Sequence, residues 1–435
     1  MNVRLSSIVL GFLALVLTAC ARLTDHTSPP TKTFGADVPL SWMRLQLQLT
    51  RTTPGISSIG HSRLYATTAV ALYEAIVPGM SGYQSLGKQL NGMPELPKPQ
   101  PGVALHWPAS ANAALAAVFR ALYPNTPAAN RQAIDSLEMA HEQGFRQIAS
   151  AEEINRSAAF GRAIATAVVD WAKSDGSNDA KPYTPPVGRG LWEPTPPAYG
   201  KAVEPNWGNN RPFVAANADV DPGPPFPFST DSSSPFYAAT KEIYEVSLTR
   251  TPEQTAIADF WNDLPDGKNY TSNGHWVSIL TQVLTREKSS LAQAAEAYAK
   301  MSIAFSDACV SSWKSKYKYN VVRPVTAVRQ VLGYADWLPH IPTPAHPEYT
   351  AAHATLSAAA ATALADVFGE NYAFTDHSYE HLGMRPRPYA SFLDAAREAA
   401  VSRVYGGIHY RFSGEAGLKQ GQAVARNVLA LRFRK

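Results

Sequence analysis

The stretch DACVSSWKSKYKYNVVRPVTAVR, residues 307–329, places two cations and a tryptophan in a segment of small and apolar residues. Lys316 and Arg323 are seven residues apart, which is nearly two helical turns, so the spacing predicts that both lie on one helix face. Trp313 comes one turn before Lys316, and Pro324 disfavours helix at the residue before it, which puts Arg323 at a helix end. Two neighbouring cations repel unless they share an anion. The alternative interpretation is a solvated basic face.

A second stretch, TPAHPEYTAAHATLSAAAATALADVF (residues 343–368), has a histidine at the start of an alanine-rich helix. The helix is predicted to open at Thr350-Ala351-Ala352-His353. Small residues there allow an anion to approach the free backbone N–H groups, where the helix dipole also favours negative charge. His353 would then stand over that anion. Taken alone, His353 is more typical of an ordinary helix-start histidine.

A third stretch, SRVYGGIHYRF (residues 402–412), contains an arginine and a histidine six positions apart. In a continuous helix, Arg403 and His409 would point to different sides. If the two side chains meet, the chain must bend between them, and the Gly406-Gly407 pair is where it can bend.

Together the three stretches resemble the three-part signature of vanadium-dependent haloperoxidases and the related type 2 phosphatidic acid phosphatases, in both order and spacing. The segments SRLYATTAVALYEAI, GLWEPTP, GHWVSI and GGIHYRF also look like bacterial haloperoxidase-like proteins. The resemblance covers the chain from about residue 60 onward. It implies an all-α fold, a multi-helix bundle of the haloperoxidase and type 2 phosphatidic acid phosphatase kind, with long Pro-rich loops.

The resemblance also implies a vanadate site, which phosphate can occupy as well. His353 corresponds to the acid–base residue, and His409 to the axial vanadium ligand or, in a phosphatase, to the nucleophile. The bend at the two glycines would aim Arg403 and His409 at one anion. The implied oxyanion-binding groups are Lys316, Arg323, Arg403, the backbone N–H of Ala352, and Trp313 as a wall of the pocket.

Three positions depart from the family pattern. Ala351 stands where the signature has serine, and Ala352 where it has glycine. Ser413 replaces the aspartate four residues after the axial histidine, so the carboxylate that should orient His409 is missing. Loss of such a partner commonly costs ~10–100-fold in metal affinity or activity. Glu415 is the nearby candidate to replace it.

His346 lies seven residues before His353, and the resemblance makes it the halide-tuning position. Algal bromoperoxidases of this family carry histidine there and the fungal chloroperoxidase carries phenylalanine. A polar, partly charged imidazole would raise the local polarity and lower the oxidising power of the site, so activity with iodide or bromide is expected, with little chloride oxidation. A loop residue at the pocket rim without such a role is an equal alternative.

The N-terminal residues have the pattern of a bacterial export signal. Residues 1–20 are predicted to be a lipoprotein signal peptide, since a short apolar segment is followed by Leu17-Thr18-Ala19-Cys20, which resembles a lipobox. Residues 21–37 are predicted to be a flexible tether. Lipidation of Cys20 would make the chain an exported lipoprotein of the cell envelope, facing the periplasm or the cell surface. An ordinary secretory signal is the alternative. Cys309, the other cysteine, is predicted to be a core residue.

The remaining pattern is helical, and period-2 strand patterns are almost absent. Residues 38–284 are predicted to be an N-terminal helical part with long Pro/Gly-rich loops, above all 174–235, and residues 285–435 a helical anion-binding core. The net charge of +4 does not indicate nucleic acid as a partner. The sequence therefore predicts a vanadate-dependent haloperoxidase that uses hydrogen peroxide and halide. The alternatives are a periplasmic acid phosphatase that cleaves a phosphate ester with His409 as nucleophile, and a non-catalytic anion-binding lipoprotein.

Overall fold

The computed structural model describes residues 28–179 and 181–435, and the regular structure there is almost entirely helical, which confirms the all-α prediction. The predicted signal peptide and Cys20 lie outside the described residues. The α-helices are α1 Asp37–Thr52, α2 Ser58–Ile76, α3 Trp107–Leu122, α4 Ala128–Phe145, α5 Ala151–Lys173, α6 Pro235–Thr249, α7 Pro252–Phe260, α8 Ser272–Arg286, α9 Leu291–Tyr319, α10 Pro324–Val331, α11 Ala352–Phe368, α12 Phe392–Tyr405 and α13 Arg411–Leu429.

Two short strands between α11 and α12 were not predicted. They are β1 Phe374–Asp376 and β2 Arg387–Tyr389, which pair antiparallel with Thr375 opposite Pro388. Each strand has three residues. A segment of that length is too short to show the period-2 alternation by which strands are recognised in a sequence.

The longest helix, α9, lies in the centre of the bundle and carries the first motif. Its N-terminus is capped by Ser290, whose side chain accepts a hydrogen bond from the N–H of Gln293. It ends at Asn320, which adopts the left-handed conformation (φ 48°, ψ 41°). The prediction that Lys316 and Arg323 share one helix face is therefore wrong, because the chain leaves the helix between them. Arg323 is at a helix end, as predicted, since it is the N-cap residue of α10.

The two parts predicted from the sequence share a hydrophobic core. One cluster of buried side chains includes Trp42 and Leu72 from the N-terminal part together with Phe305 and Leu364 from the C-terminal part. The division at residue 285 stays a prediction about chain organisation. The described helices include none that is long and apolar enough to cross a membrane.

Close helix packing near the site depends on small residues. A Cβ atom placed on Gly421 of α13 would lie 2.0 Å from the carbonyl oxygen of Thr355 in α11. Only glycine allows the two backbones to approach this closely. This contact fixes the start of α11 against α13, which begins at the end of the third motif.

The described residues of the predicted tether, 28–37, contact the rest of the protein, and the tether as a whole stays a prediction. The hydroxyl of Thr31 donates to the carbonyl of Gly79 at 3.1 Å, and Phe34 accepts a hydrogen bond from the N–H of Leu291 at 2.8 Å. The segment therefore lies against the helical body, since its backbone and side chains find partners there. The polar composition of this segment suggested that it is exposed to solvent. Polar side chains can, however, also form hydrogen bonds with the surface of the folded protein.

The long loop between α5 and α6, residues 174–234, is fixed to α9 by one buried carboxylate. Asp307 accepts hydrogen bonds from the N–H groups of Phe213 and Val214 at 2.7 and 2.9 Å and from the Asn217 side chain at 2.8 Å. Burial raises the pKa of Asp307 to about 7, although these three donors favour its ionised form. The hydrogen bonds to Asp307 hold the loop against α9, the helix that carries the first motif.

Candidate active site

The three motifs meet at a cavity of about 420 Å³. It lies between the α7–α8 loop, the start of α11 and the bend that follows α12. Much of its wall is apolar, as is typical of small-molecule sites. Apolar side chains that line it include Ile59, Leu264, Ile341, Leu356 and Ile408. The predicted site residues that line it are Trp313, His346, Ala352, His353, Arg403 and His409.

The histidine of the third motif is held by a carboxylate that the sequence did not reveal. His409 Nδ1 lies 2.8 Å from Oε1 of Glu348, and the same oxygen accepts the N–H of Tyr410 at 3.0 Å. Both side chains are almost fully buried. Burial raises the pKa of Glu348 to about 7, while Lys316 and Arg323 act in the opposite direction. Arg323 can only donate to the other ring nitrogen, so in the neutral imidazole Nδ1 carries the proton and donates it to Glu348.

Arg323 determines the protonation state of the other ring nitrogen of His409. Its Nη1 lies 3.1 Å from Nε2 of His409 and donates to the carbonyl of Ile408 at 2.9 Å. An arginine can only donate, so His409 Nε2 presents a lone pair. Burial and the neighbouring Arg323 lower the pKa of His409 well below its usual value. The ring is therefore neutral, with the lone pair on the nitrogen that a ligand or an electrophile would need.

Lys316 lies behind the cavity wall and does not line it. Its ammonium group donates to the carbonyl oxygens of Pro347, Glu348 and Thr350 at 3.1, 3.0 and 2.5 Å. Burial, followed by the charge of Arg323, lowers the pKa of Lys316 well below its usual value. In this arrangement Lys316 holds in place the segment that contains Glu348 and leads into the start of α11.

Arg403 lines the cavity and keeps donor capacity free. One of its terminal nitrogens donates to the carbonyl of Trp261, while the buried Nε has no partner among the described residues. The predicted bend is present: α12 ends at Tyr405, and Gly407 has a positive φ of 78°. The bend returns the chain so that Arg403 and His409 line the same cavity.

The first turn of α11 supplies backbone donors. Ala351 is the N-cap residue, which lies within the helix opening predicted at residues 350–353, and no side chain caps the helix. The N–H groups of a helix's first turn have no partner within the helix. With alanine at the cap, these donors remain available to an anion in the cavity that Ala352 lines.

His353 faces a buried aspartate that the sequence analysis missed. Its Nε2 lies 3.3 Å from Oδ2 of Asp263, which follows α7. Burial and the charge of Arg403 lower the pKa of His353 to about 4, while Asp263 acts in the opposite direction. His353 therefore has a carboxylate available to stabilise a proton that it takes up.

Two positions that follow His409 in the sequence, Ser413 and Glu415, differ from expectation. Ser413 is buried and lies close to Glu348. Its contact favours the ionised form of that carboxyl group and so partly opposes the effect of burial on the pKa. Glu415, the candidate from the sequence, is exposed and does not contact the histidine. The carboxylate partner of His409 comes from residue 348 instead.

His346 contacts both the ring of Trp313 and the guanidinium of Arg323. The centroids of the His346 and Trp313 rings are 4.9 Å apart, and Nδ1 of His346 accepts from Nη2 of Arg323 at 2.9 Å. Burial, and then Arg323, lowers the pKa of His346 well below its usual value. The imidazole is thus polar but neutral, and the expectation of a partly charged ring is wrong.

These groups fit a bound oxyanion such as vanadate or phosphate. The fit rests on the unpartnered Nε of Arg403, the uncapped first turn of α11 and the lone pair on His409 Nε2. Cationic and backbone donors would suit the oxygens of such an anion, and the imidazole nitrogen would suit its central atom. The three sequence motifs therefore meet at one candidate anion-binding site, and direct binding of the anion by Lys316 and Arg323 stays a prediction.

The chain is similar to known proteins in sequence and in fold. The family model described as the VCPO second helical-bundle domain matches residues 296–434. The structure is similar to that of a bacterial vanadium-dependent iodoperoxidase, with 32% sequence identity, a TM-score of 0.83, and coverage of 91% of this chain and 96% of that chain.

Two structures of bacterial vanadium-dependent chloroperoxidase are similar in fold at 16% identity. The apo form has a TM-score of 0.64, and the match covers 86% of this chain and 94% of that chain. The holo form has a TM-score of 0.63, and the match covers 87% of this chain and 94% of that chain. No curated protein sequence matches the chain.

Proposed function

The chain belongs to the vanadium-dependent haloperoxidase family, and we propose that it oxidises iodide and bromide in preference to chloride. The general reaction is halide plus hydrogen peroxide plus one proton, giving hypohalous acid and water. The observation that carries the assignment to this chain's own residues is the state of His409. Glu348 accepts the proton of Nδ1, and Nε2 keeps a lone pair, which accepts a hydrogen bond from Arg323 in the vanadate-free protein.

Vanadate would be held by His409 at Nε2, by Arg403 and by the backbone N–H groups at the start of α11. When bound, it activates hydrogen peroxide toward attack by halide. Each turnover consumes one proton, and His353 is the residue in the cavity placed to hold and deliver it. Asp263, 3.3 Å from its Nε2, stabilises the protonated imidazole.

The halide preference is supported by the polarity around His346. The neutral imidazole places a polar ring where a phenylalanine would present only apolar surface, and it accepts a hydrogen bond from Arg323. A more polar environment lowers the oxidising power available to the halide. Chloride is the hardest of the three common halides to oxidise and is affected most. The similarity to an iodoperoxidase points in the same direction.

The loss of aspartate at position 413 had suggested a decayed, non-catalytic site. That alternative loses its main support, because Glu348 supplies the carboxylate at 2.8 Å from Nδ1 of His409. A phosphatase would use the same lone pair of His409 as its nucleophile. The two activities therefore need a direct comparison.

The deciding experiment uses the purified protein in parallel assays. Orthovanadate-loaded protein is given hydrogen peroxide with iodide, bromide or chloride, and vanadate-free protein is given a phosphate ester. Halide oxidation that depends on vanadate, fastest with iodide or bromide and absent in His409→Ala, supports the proposal. Phosphate-ester hydrolysis without vanadate-dependent halide oxidation would overturn it.

The location remains the proposal drawn from the sequence: export, with a lipid anchor on Cys20 in the cell envelope. It is supported by the Leu-Thr-Ala-Cys motif after an apolar segment. Replacing Cys20 with serine should move the protein from the membrane fraction to the soluble fraction. An unchanged membrane fraction in the variant would contradict the anchor.

A further inference from the structure

A fully buried histidine outside the cavity lies between two carboxylates. His275 of α8 has its Nδ1 3.1 Å from Oδ1 of Asp263 and its Nε2 2.8 Å from Oδ2 of Asp376, and none of the three side chains is exposed. Ionised carboxylates accept hydrogen bonds and cannot donate them. An imidazole satisfies acceptors on both nitrogens only in its doubly protonated, cationic form.

This histidine connects to the active site through Asp263. One oxygen of Asp263 faces His275, and the other lies 3.3 Å from Nε2 of His353. The hydroxyl of Tyr379 also donates to Asp263, at 2.5 Å. On the far side, Asp376 accepts the N–H of Ser378 at 2.9 Å. The order from the cavity inward is thus His353, Asp263, His275 and Asp376.

We propose that His275 is a positioning residue of the halide-oxidising site, whose buried positive charge keeps Asp263 ionised and directed at His353. This inference rests on the proposed function. An isolated buried carboxylate becomes protonated, since burial raises its pKa by up to about 3–5 units. A protonated Asp263 could no longer stabilise the cationic form of His353. The cation that prevents this is not in the cavity, so it can act throughout turnover without meeting substrate.

The surroundings of His275 support a cation. The facing titratable groups are Asp263 from the α7–α8 loop, Asp376 from β1 and the neutral phenol of Tyr379. The ring of Trp261 packs at 4.4 Å between centroids and that of Tyr379 at 4.8 Å, and aromatic faces stabilise cations. Burial lowers the pKa of His275, but the two aspartates outweigh it and raise the pKa to about 10. The same pairing holds the pKa of Asp263 below its usual value against the effect of burial.

The test compares His275→Gln with Asp376→Asn. Glutamine is neutral, so Asp263 and Asp376 lose their shared counter-ion, whereas Asp376→Asn removes a carboxylate from the same ring and leaves the cation. The readout is kcat/KM for iodide as a function of pH. In His275→Gln the loss of activity on the acid side should begin at least about one pH unit higher than in the wild type. Activity should return toward the wild-type value at higher pH, where Asp263 ionises again.

In Asp376→Asn, the pH at which kcat/KM for iodide falls on the acid side should be the same as in the wild type. Equal shifts in the two variants, or pH-independent losses in both, would show a merely structural contribution of His275 and overturn the inference. Thermal unfolding of each variant identifies a change that is due to misfolding alone.

A measurement on the wild type does not depend on the variants folding or on activity. Histidine ¹⁵N shifts at about pH 8 should show both nitrogens of His275 protonated, with the signal assigned by its change in Asp376→Asn. A neutral ring in an active enzyme would overturn the role of His275 alone. A charged ring in a protein without halide oxidation would overturn the proposed function, and this role with it.

Discussion

Replacing Glu348 with glutamine tests how the site prepares its vanadium ligand. The wild-type carboxylate accepts from Nδ1 of His409 at 2.8 Å and from the N–H of Tyr410 at 3.0 Å. Glutamine has nearly the same shape, but it removes the charge. Its amide can also donate to Nδ1, which would move the imidazole proton to Nε2, the nitrogen that should carry the lone pair.

The expected magnitude follows from the role of such partners in metal sites. Their loss costs ~10–100-fold in affinity, which corresponds to about 1.4–2.7 kcal/mol. The assay is the dissociation constant of orthovanadate, measured by calorimetry at constant pH on the wild type and Glu348→Gln. Unfolding temperatures of the vanadate-free proteins separate a local effect from a general loss of structure. An affinity within about twofold of the wild type would refute the assigned role of Glu348.

Ser413 provides a matched control. Ser413→Asp would place a carboxylate at the position where the family pattern has aspartate. With Glu348 already in place, that change adds a second buried carboxylate beside the first, and no gain is expected. The double variant Glu348→Gln with Ser413→Asp should regain part of the lost affinity, since it again provides a carboxylate next to the ring.

Three further predictions concern the histidines. His353→Ala should retain vanadate affinity and lose about 10²–10⁴-fold in kcat, because the residue moves protons and does not hold the anion; an equal loss of binding would contradict this. His346→Phe should lower the ratio of bromide to chloride oxidation, and an unchanged ratio would remove its proposed influence on halide choice. The pKa of His275 is raised from 6.5 to about 10, so its ion pairs stabilise the fold fully below pH 6.5 and lose this contribution as the pH rises through about 10. The difference in unfolding free energy between the wild type and His275→Gln, measured by urea denaturation, should shrink over that interval.

The parts of the site that the sequence predicted correctly are those set by local signals. The helix start after Thr350 follows from a proline-rich approach and an alanine-rich continuation, and the bend follows from two adjacent glycines. Local reasoning failed for Lys316 and Arg323. Helical periodicity placed them on one face, but Asn320 ends α9 between them.

The residues that the sequence did not reveal act through long-range pairs. Glu348 is 61 positions from His409, and Asp376 is 101 positions from His275. No spacing rule links residues so far apart, because the fold alone brings them together. Glu348 carried a weak signal, since a carboxylate stood alone between Pro347 and the predicted start of an apolar helix.

A crystal structure of the protein loaded with orthovanadate tests the central claim most directly. We expect one vanadium per chain, bonded to Nε2 of His409, with Nδ1 still hydrogen-bonded to Glu348. The equatorial oxygens should contact Arg403 and the backbone N–H groups at the start of α11. Vanadium at another position, or bound in this cavity without a bond to His409, would contradict the account.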